Sequence, residues 1–224
     1  MRKTILGAIS IAALAVVGVA APANAISATT ADLYVLHAVP DTPVDVWVDG
    51  EVLLPDFQPG TLTDPLDLPA GDYEVVITAV GDPITAPVIG PATFSLEAST
   101  SYTVVAHLDA GGAPTATAYV NDLTQTAPGQ GRLTVRHTAA APAVDVLANG
   151  TPAFTNLSNP GEAMADLPAG TISAAVAATG TTDPVIGPAD VQVQEGVNTI
   201  VYAWGSLEDD TLALAVQTIG GLHS

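Results

Sequence analysis

The sequence predicts an all-β protein: two tandem immunoglobulin-like antiparallel β-sandwich domains behind a cleaved signal peptide. Three observations carry that prediction. One segment occurs twice, 100 residues apart, and repetition on this scale means two copies of one structural unit. Apolar residues alternate with period two, the mark of half-buried strands. Pro and Gly recur every 8 to 20 residues and leave no room for a long amphipathic helix.

In chain order, residues 1–25 read as a signal peptide. Arg2 and Lys3 form a basic start, Ile5 to Ala21 is apolar, and Ala23-Asn24-Ala25 is a small-x-small cleavage site. The apolar run is too alanine-rich for a membrane span, so no membrane insertion is expected after cleavage. No Cys follows it to take a lipid, and cysteine is absent throughout. The domains must therefore be held by packing alone.

The first domain is expected over 26–122, a linker over 123–131 and the second domain over 132–224. Leu33 to Gly50 answers Leu133 to Gly150, with His37/His137, Val44-Asp45-Val46/Val144-Asp145-Val146 and the closing Gly in identical register. Val44, Val46 and Val48 alternate with Asp45, Trp47 and Asp49; Tyr73, Val75 and Ile77 alternate with Glu74, Val76 and Thr78. Leu68-Pro69-Ala70-Gly71 recurs as Leu167 to Gly170 and reads as a turn, with Pro presetting φ and Gly supplying a positive φ. Tyr102 to Ala106 answers Thr199 to Ala203. Six or seven short strands per repeat with such turns is the pattern of an immunoglobulin-like sandwich. The polar stretch from Asn121 to Gly131, with one Pro and two Gly, separates the copies.

Val35-x-His37-Ala38-x-Pro40-Asp41-x-Pro43-Val44-Asp45-Val46-Trp47-x-Asp49-Gly50, followed by Leu-Pro-Ala-Gly, resembles the bacterial secreted domain-of-unknown-function 4397 family. The resemblance covers nearly all of the chain after the signal peptide, as a tandem pair. The second copy departs from it, with Ala140-Ala141 where the first has Pro40-Asp41. The resemblance implies a secreted β-sandwich module and brings no catalytic residues.

Charge narrows the partners. Removal of Arg2 and Lys3 leaves Arg132 and Arg136 as the only cationic side chains beside 23 Asp and Glu, a formal charge of −21. Such a chain repels nucleic acid and anionic membranes.

The candidate chemistry is sparse. His37 with Asp45, and His137 with Asp145, could be catalytic or metal-binding pairs. The favoured reading is structural: each imidazole ties the first strand to the following turn. No Cys, no Gly-x-Ser-x-Gly elbow and no recurring Ser accompanies them. One His per repeat is too few for zinc, and no cofactor is expected. Weak calcium binding through Asp oxygens is the alternative. Trp47 and Trp204 do not recur, since Leu147 and His107 stand in their places. They read as packing under a loop or at a domain interface, or as a sugar platform. The whole predicts a non-catalytic, secreted or cell-wall-associated protein. It would act by surface binding, adhesion or structure on a protein or glycan of the cell envelope, or else bind calcium or carbohydrate.

Overall fold

The computed structural model describes residues 26–222, so the predicted signal peptide lies outside the described residues. The chain is all-β. The first repeat contributes β1 (Thr30–Ala38), β2 (Val44–Val48), β3 (Glu51–Phe57), β4 (Leu66–Pro69), β5 (Gly71–Ala79), β6 (Pro87–Leu96), β7 (Ser101–Leu108) and β8 (Pro114–Val120). The second contributes β9 (Gln130–Ala140), β10 (Val144–Ala148), β11 (Thr151–Leu157), β12 (Glu162–Pro168), β13 (Gly170–Ala178), β14 (Pro184–Val193), β15 (Asn198–Ser206) and β16 (Ala213–Ile219). Each repeat thus holds eight strands, more than the six or seven expected. The short edge strand β4 sits where the sequence reads as a turn.

Each repeat is a sandwich of two four-stranded sheets. In the first, β3-β2-β5-β6 is the outer sheet and β4-β1-β7-β8 the inner one; in the second, β11-β10-β13-β14 is outer and β12-β9-β15-β16 inner. All pairings are antiparallel except β1 with β7 and β9 with β15, which run parallel. The Leu-Pro-Ala-Gly segment carries the chain from inner to outer sheet. Gly170 takes the expected positive φ, 156°, and Gly71 does not; in both copies the segment is a crossover between sheets, not a tight reversal.

Two cores lie where the period-two pattern puts them. Leu33, Val35, Val104 and Ala106 of the first inner sheet meet Val44, Val46, Ile77 and Ile89 of the outer one. Leu133, Val135 and Val201 meet Val146, Val176 and Ile186 in the second repeat. A third core joins the repeats: Leu36, Ala38, Val105 and Tyr119 of the first pack with Ile200, Tyr202 and Ile219 of the second. The central strands of the inner sheets are therefore covered on both faces, while the edge strands keep exposed residues such as Val120 and Met164. Every residue of β7 is buried, including Ser101, Thr103 and His107, because one face of the strand meets the first core and the other meets the junction between repeats.

Candidate functional site

The recurring Asp is fixed by a β-bulge. Opposite Asp45 the register of β2 and β3 slips, and Asp56 takes a positive φ of 49°. Its N–H donates to Asp45 Oδ1 at 2.8 Å, and the Gly81 N–H, from the β5–β6 turn, donates to Oδ2 at 3.0 Å. The second repeat repeats this atom for atom: Asn156 and Gly180 N–H donate to the two oxygens of Asp145, each at 2.8 Å. The bonds from Asp56 and then Gly81 hold the Asp45 carboxyl below its ordinary pKa, because they favour the charged form.

The recurring His has different partners. His37 Nε2 lies 2.7 Å from Thr42 O, and His137 Nε2 lies 3.1 Å from Pro142 O. A carbonyl only accepts, so Nε2 carries the ring proton in both. His137 Nδ1 then accepts the Ala139 N–H, while His37 Nδ1 is buried without a partner and its ring stacks on Phe57 at 5.9 Å. Burial pushes both imidazoles below their ordinary pKa. Each His ties the end of its strand to the next turn, on a different sheet from its Asp, and no hydrogen bond or ion pair joins the two. Among the described residues no three His, Asp or Glu side chains gather to hold a metal ion.

Trp47 lies half-buried on the outer sheet, donating its indole N–H to Thr78 Oγ1 at 3.0 Å. Thr78 in turn donates to Asp82 O in the β5–β6 turn. Trp204 is in the junction between repeats, where a Cβ on Gly60 of the first repeat would lie 3.3 Å from its Cζ2.

The residues that sequence reasoning passed over are the two arginines and His107. Arg136 is fully buried in the junction. Its Nε donates to Glu162 at 2.6 Å, its Nη1 to Tyr202 Oη at 2.7 Å, and its guanidinium lies 4.4 Å from the centre of the Tyr119 ring. Tyr202 Oη donates to Gln217 Oε1, which also accepts from Thr103 Oγ1 of the first repeat. Tyr119 Oη reaches across to Pro160 O at 2.8 Å. Arg132 pairs bidentately with Asp166 and binds Asp122 and Thr124, fastening the segment before β9 to the second repeat. His107, which reads as exposed, is buried, with Nε2 2.9 Å from Thr117 Oγ1. No local signal marks Arg136: alternation puts it on the face away from Leu133 and Val135, and only the other repeat makes that face interior, where a buried charge must be paired.

The family model "Domain of unknown function (DUF4397)" matches residues 31–147, just over half of the chain. The chain belongs to this family. The matched stretch begins in β1 and runs into β10, so it spans the first DUF4397 repeat and the opening motif of the second. No curated protein matches the chain. Among solved structures, the Bacillus anthracis TIE protein is similar at 13% identity and a TM-score of 0.23, over 77% of this chain and 35% of that one. The chain thus spans about a third of the length of that protein.

Proposed function

We propose that the protein is exported and works without catalysis, as an extracellular or cell-envelope module acting through its surface in binding, adhesion or structure. One observation supports this best. In both repeats the side chains that could do chemistry are tied to the backbone: His Nε2 to a turn carbonyl and both oxygens of the Asp to N–H groups, while the one unpaired ring nitrogen, His37 Nδ1, is buried away from solvent. A general base or metal ligand needs a free lone pair aimed at a substrate.

The test has two arms. Fractionation of the producing organism should place the chain in the envelope or medium, and a pull-down from that envelope should recover a partner. Hydrolase turnover that disappears in His37→Ala or His137→Ala would overturn the reading. Calorimetric titration with calcium and with cell-wall glycans separates it from a calcium- or carbohydrate-binding module; saturable heat in either would replace it.

A further inference from the structure

We propose that the outer sheet of the first repeat, around Trp47, is a docking face for a lysine- or arginine-rich extended segment of a partner protein. The proposal rests on the reading of the chain as a surface-acting module.

The argument comes from comparing two faces built on one scaffold. Asp49-Gly50 and Asn149-Gly150 make the same hairpin turn, with φ of 50° and 84° in the first and 51° and 78° in the second. Asp49 Oδ1 accepts the Glu74 N–H at 2.9 Å, and Asn149 Oδ1 accepts the Ser173 N–H at 3.0 Å. Asp72 accepts from Ser95 across the strand pair, as Thr171 does from Gln192. The fold therefore works equally well with neutral residues at all three positions. The first repeat nevertheless places Asp49, Asp72 and Glu74, all exposed, on one face. Like charges gathered on a sheet face repel, so the scaffold gains nothing from them.

The aromatic differs in the same direction. Leu147 is 2% exposed at the position of Trp47, whereas Trp47 is only partly buried, with its indole N–H anchored to Thr78. A fixed indole beside carboxylates attracts a guanidinium or ammonium group through both its π face and its charged rim.

The face also lacks any cation of its own. Residues 26–131 contain 14 Asp and Glu and no Lys or Arg, and both arginines of the described chain are ion-paired in or beside the junction. The occupant must bring the positive charge. Asp72 and Glu74 are two residues apart on β5, with Trp47 on neighbouring β2 and Asp49 in the turn that follows it. The spacing of Asp72 and Glu74 along the strand is about 7 Å, the repeat of alternate side chains in an extended peptide.

The experiment uses the chain from residue 26 onward and a short synthetic peptide alternating lysine and serine. Trp47→Leu, Asp49→Asn, Asp72→Thr and Glu74→Ser together install what the second repeat already accommodates. A control combines Glu208→Gln, Asp209→Asn and Asp210→Asn, removing as many charges from a loop of the second repeat. The face variant should lose about tenfold in affinity by calorimetry, while the control stays within about twofold. Peptide binding should also change Trp47 fluorescence. Should the fourfold variant fail to fold, Asp72→Thr with Glu74→Ser, both exposed, should still cost about threefold.

Absent binding, or equal weakening in both variants, overturns the proposal. So does Trp47-dependent binding of a chitosan oligomer with none of the peptide. Because purified protein is titrated, failure here leaves the export and non-catalytic reading standing. Failure of that reading would show instead in fractionation and turnover.

Discussion

Replacing Arg136 by Leu, the residue at the equivalent position 36 of the first repeat, should weaken the protein by about 3 kcal/mol. Breaking a buried ion pair by removing one partner costs about 3–5 kcal/mol, mostly because the remaining charge is stranded. Here the Arg136 side chain is 1% exposed but Glu162 is 23% exposed, so the orphaned carboxylate recovers some hydration and the lower end applies. Tyr202 also loses its charged donor and Tyr119 its cation. Urea unfolding, followed by far-UV circular dichroism and by Trp204 fluorescence in a Trp47→Leu background, measures the effect. Trp204 sits in the junction and should respond at lower urea than the dichroism once Arg136 is gone, splitting a transition that is single in the parent. A loss under about 1 kcal/mol with coincident transitions would refute the reasoning, since that is the worth of an ordinary surface pair.

Acid should destabilise the fold well before its carboxylates protonate. Burial holds His37, His107 and His137 below their ordinary pKa, so below pH about 6.5 the unfolded chain binds protons that the folded chain refuses. Stability is complete above that pH and falls by up to about 1.4 kcal/mol per group per pH unit beneath it. A melting temperature unchanged between pH 7 and 5, measured at high salt to screen carboxylate repulsion, would contradict this. Asp145→Asn should cost about 1–3 kcal/mol, because an amide cannot accept both N–H bonds and Asp145 is 4% exposed. Asp45→Asn should cost less, since Asp45 is nearer to water, and equal losses in chemical denaturation would count against the bulge argument. Gly60→Ala should cost at least about 1 kcal/mol, through its φ of +79° and the approach to Trp204, and should shift Trp204 emission; a silent variant would show that the junction yields there.

What was legible in the sequence depended on which surface a residue faced. Val44, Val46 and Ile77 announce themselves because one side of their sheet meets water and the other the core, so alternation reveals both. The same logic misplaces Arg136. It lies between Val135 and His137, on the face away from Leu133 and Val135, and alternation alone assigns that face to solvent. Only the other repeat makes it interior, and no local pattern encodes contact with residues about 100 positions away. His107 fails for the same reason. The pairing of His37 with Asp45 failed for another: eight residues separate them in sequence, but the chain changes sheets between β1 and β2. Proximity in sequence then says nothing about contact. Asp49 and Asn149 look like divergence on paper, yet turn geometry makes them equivalent.

The junction shows how the two repeats came to differ. Thr103 and Ile200, Val105 and Tyr202, and Tyr119 and Gln217 occupy matching positions in the two inner sheets, by the pairing of β7 with β8 and of β15 with β16. The same sheet of each copy faces the other, as the two halves of a symmetric dimer would. The contacts, however, are complementary instead of identical. Arg136 needs the Tyr119 ring, and Gln217 needs Thr103. Two first repeats would set Tyr119 against Leu36, and two second repeats would bury Arg136 against Gln217 with only its own Tyr202 ring beside it and no Tyr119. Neither copy can make this junction with itself, so the heterologous pairing protects the tandem chain from joining like to like through its inner sheets. It also commits the central strands of those sheets to the interior. Divergence that serves an outside partner is left to the outer sheets, and there the copies part company in charge, at Asp49, Asp72 and Glu74.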